Sequence, residues 1–248
     1  MKLKKVRYKE MIAVMIAALM VYAGALIYTS RDSDTGIKSL QAHLSQIEAA
    51  SDMKDFEDIQ VIVTEAQDSY LFFGFSIVRD IRDSAINVIY FDLPAPLIPK
   101  DTAVDPYSAQ NSALARYAEK LFTLAGYTDP AGSTMSVVSL NAYITSVSPD
   151  PDSPENGKDA GLYTMEDLQS MFPDISLERL LQAAALNPEP VYHSCAEETL
   201  RACAELYCLE NLRDLKAYAA FQLINGSVGA LDSDFRNARL EFESKLYQ

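Results

Sequence analysis

From Phe72 to Pro94 the chain reads FFGFSIVRDIRDSAINVIYFDLP, two runs of apolar residues separated by a charged stretch. Phe73, Phe75, Ile77 and Val78 carry the first run, and Ile86, Val88, Ile89, Tyr90 and Phe91 the second. These β-branched and aromatic side chains fit a pleated, half-buried surface and predict two strands. Arg79 to Ser84 between them is too polar to bury and suits a longer hairpin loop. Almost everything else after residue 30 follows the helical period. A lone hairpin needs a surface to pack on, so the helices are predicted to gather around it. The predicted fold class is mainly α-helical with one small β-hairpin at about 71–92, behind an N-terminal transmembrane helix.

Ile37, Leu40, Leu44 and Ile47 mark the apolar face of a first helix, with His43 beside it as a surface or hydrogen-bonded histidine. Ser51-Asp52 is an N-cap signal for a second helix running through Ile59, Val63 and Ala66, with acidic residues in its first turns. After the hairpin, Asp92 to Pro99 holds three prolines and predicts an irregular extended connector. Asp105-Pro106 is expected to open a helix whose stripe, Ala113, Tyr117, Leu121 and Leu124, stops at Gly126. Ser133 to Val147 is moderately apolar, and Ser148 to Gly161 is polar enough to be a surface loop. Helices are then expected from Thr164 to near Pro173, from Ser176, from Glu197 to Asn225 with a break near Asn211 as an option, and from Leu231 to Tyr247.

The N-terminus adds a different signal. Residues 1–10 are a basic head, and Met11 to Tyr28 is an uncharged run of 18 residues. At ~1.5 Å per helical residue this just spans a hydrocarbon core of about 30 Å. The basic flank predicts a cytoplasmic N-terminus and an extracytoplasmic bulk. A cleaved signal peptide ending near Ala25, which would leave a secreted protein, stays open as the alternative. The expected layout is a head at 1–10, an anchor or signal at 11–28, a linker at 29–36 and one domain over 37–248.

Composition narrows the chemistry. The net charge is −14, and five of the 21 basic residues lie in the head with a single Glu. Residues 11–248 thus hold 16 basic and 34 acidic side chains, a net −18 that phosphate backbones would repel, which argues against nucleic-acid partners. The three cysteines, Cys195, Cys203 and Cys208, are expected as buried thiols. His43 and His193 are the only histidines, so no H-E-x-x-H zinc helix exists, and there is no G-x-S-x-G elbow and no phosphate-binding glycine pattern. The proximity of His193 and Cys195 does not by itself make a dyad. Asn225-Gly226-Ser227 is a sequon by letters and is read as a turn between helices. No residue is nominated as catalytic, cofactor-binding or metal-binding.

Four blocks together resemble the N-terminal half of the neprilysin and endothelin-converting-enzyme family of zinc metallopeptidases. They are the hairpin, YAEKLFTLAGY at 117–127, GLYTMEDLQSMFPDISLERLLQAAAL at 161–186, and the stretch from ENLRDLKAYAAF to the end. The chain departs from the family by lacking its opening D-F-Y-x-Y-x-N-G-x-W segment and by placing Ser176-Leu177 where Asp-Trp is usual. The family's zinc helix, third ligand E-x-x-x-D and substrate-binding N-A-[FY] belong to a C-terminal half that has no counterpart here. Asn141-Ala142-Tyr143 matches the last motif by letters only. The resemblance implies a membrane-tethered capping domain that restricts which peptides enter, inactive alone, with zinc held by a separate zinc-lobe peptidase chain. A non-catalytic peptide- or protein-binding module, a pseudopeptidase or gene remnant, is the alternative. The resemblance implies no cofactor in this chain, with peptides, the zinc lobe and, through residues 11–28, the membrane as partners. A lobe without its other half is expected to expose an apolar face and to be poorly soluble.

Overall fold

The computed structural model describes residues 36–67, 70–80, 85–100, 108–148 and 161–246. The first two helices are α1 (Gly36–Ala49) and α2 (Met53–Gln67). Leu40, Leu44 and Ile47 are buried as the period demands, and Asp52 Oδ1 accepts the Asp55 backbone N–H at 2.8 Å to start α2. Ala66, expected on the buried stripe, is exposed. His43 is half-buried with its Nδ1 enclosed and unpartnered, rather than satisfied.

Strands β1 (Gly74–Arg79) and β2 (Asn87–Asp92) pair antiparallel, Phe75 opposite Phe91 and Ile77 opposite Ile89. The expectation of a lone hairpin needs correction. Two three-residue strands, β3 (Gly161–Tyr163) and β4 (Tyr192–Ser194), complete a four-stranded sheet in the order β1-β2-β4-β3. β4 runs parallel to β2, with Tyr90 opposite His193, and antiparallel to β3. Three residues are too few to show an alternating pattern, but they cover part of the β2 edge, at Tyr90.

The remaining helices are α3 (Ala109–Leu124), α4 (Pro130–Val147), α5 (Met165–Met171), α6 (Leu177–Ala183), α7 (Glu197–Leu206), α8 (Leu212–Ser227) and α9 (Ser233–Leu246). The moderately apolar segment from Ser133 is thus the body of α4, which starts at Pro130. The long helix is two, α7 and α8, separated by a 3-10 turn over Leu209–Asn211. Asn225-Gly226-Ser227 is the last turn of α8, not an open loop. The Asp105-Pro106 helix start and most of the Ser148–Gly161 loop lie outside the described residues. α3 there begins at Ala109, with the Ser108 hydroxyl accepting the Asn111 N–H at 3.0 Å. At its far end Gly126 takes φ +82°, and the Tyr127 N–H reaches back to Phe122 O at 3.0 Å. Thr164 and Asp167 form a capping box at the head of α5.

Aromatic rings explain why the helices gather on the hairpin. Phe73 is fully buried and meets Phe72 and Phe172 edge-on at 4.8 Å, with Tyr207 at 5.3 Å. Phe72 reaches Tyr218 of α8, and Phe75 reaches Tyr192 of β4. One short segment thereby touches side chains from α8, β4, the α5–α6 connection and the end of α7. The anchor expected at residues 11–28 lies outside the described residues. Among those described, no helix is long and apolar enough to cross a membrane.

Candidate functional site

An apolar-walled concave feature lies under the connector that follows β2. Three hydrogen bonds hold that connector in place. The Leu97 N–H donates to Asn141 Oδ1 at 2.7 Å, Lys100 Nζ donates to the Ser148 carbonyl, and Tyr218 Oη donates to the Ala95 carbonyl at 3.4 Å. The proline rings of Pro94, Pro96 and Pro99 keep it from joining the sheet. Together with Cys195, the α7 side chains Thr199 and Cys203, and Leu246 of α9, it encloses about 540 Å³. That volume falls within the ~300–1,000 Å³ of small-ligand sites.

The wall is mostly apolar, with charge at the two ends of the connector. Asp92 closes β2. One of its carboxylate oxygens takes a hydrogen bond from Ser76, while Oδ2 is enclosed without a partner. Burial raises the Asp92 pKa, because removing the anion from water costs more than the Ser76 bond returns. The phenols of Tyr70 and Tyr90 are pushed up to about 12 by burial and by the nearby Asp92 charge. The Tyr70 ring lies over Gly74, the β1 partner of Asp92. A Cβ on Gly74 would stand 2.2 Å from Tyr70 Cδ1, so this close approach requires glycine.

The residues weighed from the sequence fall in different places. Cys195 and Cys203 line the cavity, but burial raises both thiols, Cys203 to about 12, so neither is an activated nucleophile. All three cysteines are free thiols. Cys203 is buried, and Cys195 and Cys208 are half-buried rather than fully enclosed as expected. His193 lies outside the cavity lining, with its Nε2 3.9 Å from Asp80 Oδ2. Asn141 of the N-A-Y letters is fully buried in α4 and spends its carbonyl oxygen on the connector, a structural role. Sequence reasoning passed over Asp92 and Lys100, because an acid and a lysine flanking prolines form no recognisable spacing.

Among the described residues no three His, Cys, Asp or Glu side chains group to hold a metal. A second surface feature is apolar. Tyr70, Ile77, Val78, Ile86, Leu162 and Val191 are six of the ten large exposed hydrophobics among the described residues. All six lie on or beside the four strands.

The fold is shared with solved metalloproteases. The Mycobacterium tuberculosis zinc metalloprotease ZMP1 in its open state superposes with a TM-score of 0.74 at 18% identity, over 87% of this chain and 35% of that one. The same enzyme in complex with an inhibitor gives 0.70 at 19%, over 85% and 33%. PepO from Lactobacillus rhamnosis gives 0.71 at 14%, over 87% and 35%. The present chain thus spans about a third of the length of these structures. No individually curated protein matches it. The family model for the N-terminal part of peptidase family M13 matches residues 10–248, nearly the whole chain. Blocks spread along the sequence and the order of helices around the hairpin agree with that match: the chain belongs to peptidase family M13, as a member of its N-terminal domain family.

Proposed function

We propose that this chain is the capping, substrate-restricting lobe of a zinc metallopeptidase of family M13, acting in proteolysis only together with a zinc-bearing half. The observation that carries the reading is the fit of the whole domain to one third of two metalloproteases while its own sequence has no H-E-x-x-H. The six exposed apolar side chains around the sheet support an interface for another lobe, since patches of this kind mark contact surfaces. The uncharged run at 11–28 supports tethering as a single-pass membrane protein with the domain outside, and a secreted form cleaved near Ala25 remains the alternative.

The test is to purify the full chain and measure bound zinc and peptide cleavage, alone and with a chain carrying H-E-x-x-H and E-x-x-x-D. Cleavage only in the mixture supports the reading. Stoichiometric tight zinc and cleavage by the chain alone would overturn it. The cavity favours a second reading, an extracytoplasmic peptide-binding module with no catalytic partner. Peptide binding with no gain of cleavage from any zinc-lobe chain would select it. Alkaline extraction of membranes and protease protection of the domain separate an anchored chain from a secreted one.

A further inference from the structure

We propose that the outward edge of β1 pairs antiparallel with the same edge of a second copy of this chain, joining two four-stranded sheets across a two-fold axis beside Val78. β1 has only β2 as a neighbour in the sheet. The Asp80 N–H donates to Ile86 O at 3.0 Å, which fixes the parity of the ladder. Asp80, Val78, Ser76 and Gly74 therefore turn their backbone groups toward β2, and Phe75, Ile77 and Arg79 turn theirs away. Gly74 and Phe75 are buried, but Ile77, Val78 and Arg79 are exposed. Among the described residues nothing pairs with the outward N–H and C=O groups of Ile77 and Arg79. The register of β1 on β2 runs unbroken over all six residues, and the strand holds no proline and a single charge, Arg79. A bulge, a proline or an inward-pointing charge, the common guards of an exposed edge, is thus missing from β1.

The exposed stretch matches itself when reversed, which is why the occupant is a second copy. With Val78 opposite Val78 of the second copy, Ile77 falls opposite Arg79 and Arg79 opposite Ile77, so each outward N–H meets an outward C=O. The Arg79 stem then lies along Ile77 and covers its apolar surface. The two guanidinium groups stand diagonal to one another rather than face to face. Val78 meets its own copy as a close pair without mutual hydrogen bonds. The chain as a whole carries a net −14, yet the stretch from Ile77 to Arg79 holds no carboxylate, so the copies meet where their mutual repulsion is least. Leu162, on the far edge strand β3, and Val191 are left for the lobe interface proposed above.

The experiment is analytical ultracentrifugation of the full chain in detergent micelles over rising protein concentration. The parent should pass from monomer to dimer. Ile77→Pro removes an N–H that makes no bond within one copy, so it should melt close to the parent while raising the dimer dissociation constant at least about tenfold, or ~1.4 kcal/mol. Ile77→Lys sets a like charge against Arg79, should weaken the dimer in the same way, and serves if the proline variant does not fold. Val78→Cys should cross-link two copies under air with copper phenanthroline, because facing positions of this kind lie ~4.5 Å apart at Cα. Ile77→Cys, opposite Arg79, should cross-link no more than the parent with its own three thiols. A chain that stays monomeric, a dimer that both Ile77 variants leave intact, equal cross-linking at the two positions, or open-ended polymers from pairing β1 with β3 would overturn the proposal. The pairing does not rest on the lobe reading, which is judged by zinc and cleavage, so either can fail without the other.

Discussion

Truncating Phe73 to Ala tests whether the hairpin is the hub of the core. The side chain is fully buried, with four rings around it, Phe72 and Phe172 at 4.8 Å, Tyr207 at 5.3 Å and Phe91 at 5.8 Å. Removing a buried Phe costs about 3–5 kcal/mol, and edge-on ring pairs place this site toward the upper end. For a domain of this size ~1 kcal/mol lowers Tm by about 2–4 °C, so the loss should be ~6–20 °C. Ile77 shares the inward parity of the strand but is 59% exposed. Ile77→Ala should therefore cost under ~1 kcal/mol. Urea unfolding followed by far-UV circular dichroism measures both, with Phe73→Leu as a milder variant if Ala does not fold. A cost under ~1.5 kcal/mol at Phe73, or equal costs at the two positions, would refute the hub.

Arg179 of α6 binds Glu57 and, at 2.7 Å, Asp58 of α2, and the Glu57 side chain is only 7% exposed. Arg179→Met should cost about 2 kcal/mol by stranding that carboxylate, and adding Glu57→Gln should recover part of it; additive losses would argue against the pairing. Asp92 has a raised pKa in the fold, so stability present below the unfolded aspartate range, ~3.9, is lost as pH rises through the folded value. Asp92→Asn should accordingly melt higher than the parent at neutral pH, with the gap closing in acid, as thermal scans across pH would register. Ala185 ends α6 at φ 54°, where the Leu186 N–H returns to Leu181 O, a role that favours glycine. Ala185→Gly should stabilise by ~0.5–1 kcal/mol in urea unfolding despite the added chain entropy. Gly74→Ala should cost ~1–3 kcal/mol by expelling the Tyr70 ring, and Tyr70→Ala in the same chain should restore much of it.

The sequence by itself determined the periodic elements. Leu40, Leu44 and Ile47 fix one face of α1, Thr164 and Asp167 set the start of α5, and Phe75, Ile89 and Phe91 fix which side of the hairpin is inside. These are local signals, because side-chain spacing and capping depend on neighbours within a turn or a pleat. The blocks that carry the family membership are legible for the same reason. Only the tertiary structure decided the rest. Strands of three residues at 161–163 and 192–194 hold no period and exist because a distant edge needed partners. Asn141 and Leu97 meet across 44 positions, and Asp92 is left with one enclosed, unpartnered oxygen only in the folded chain. The hairpin from Phe72 to Pro94 shows both halves of the division. Its alternation was written in the residues, but the rings that surround Phe73 and the cavity behind Pro94 arise from packing between segments far apart in the chain.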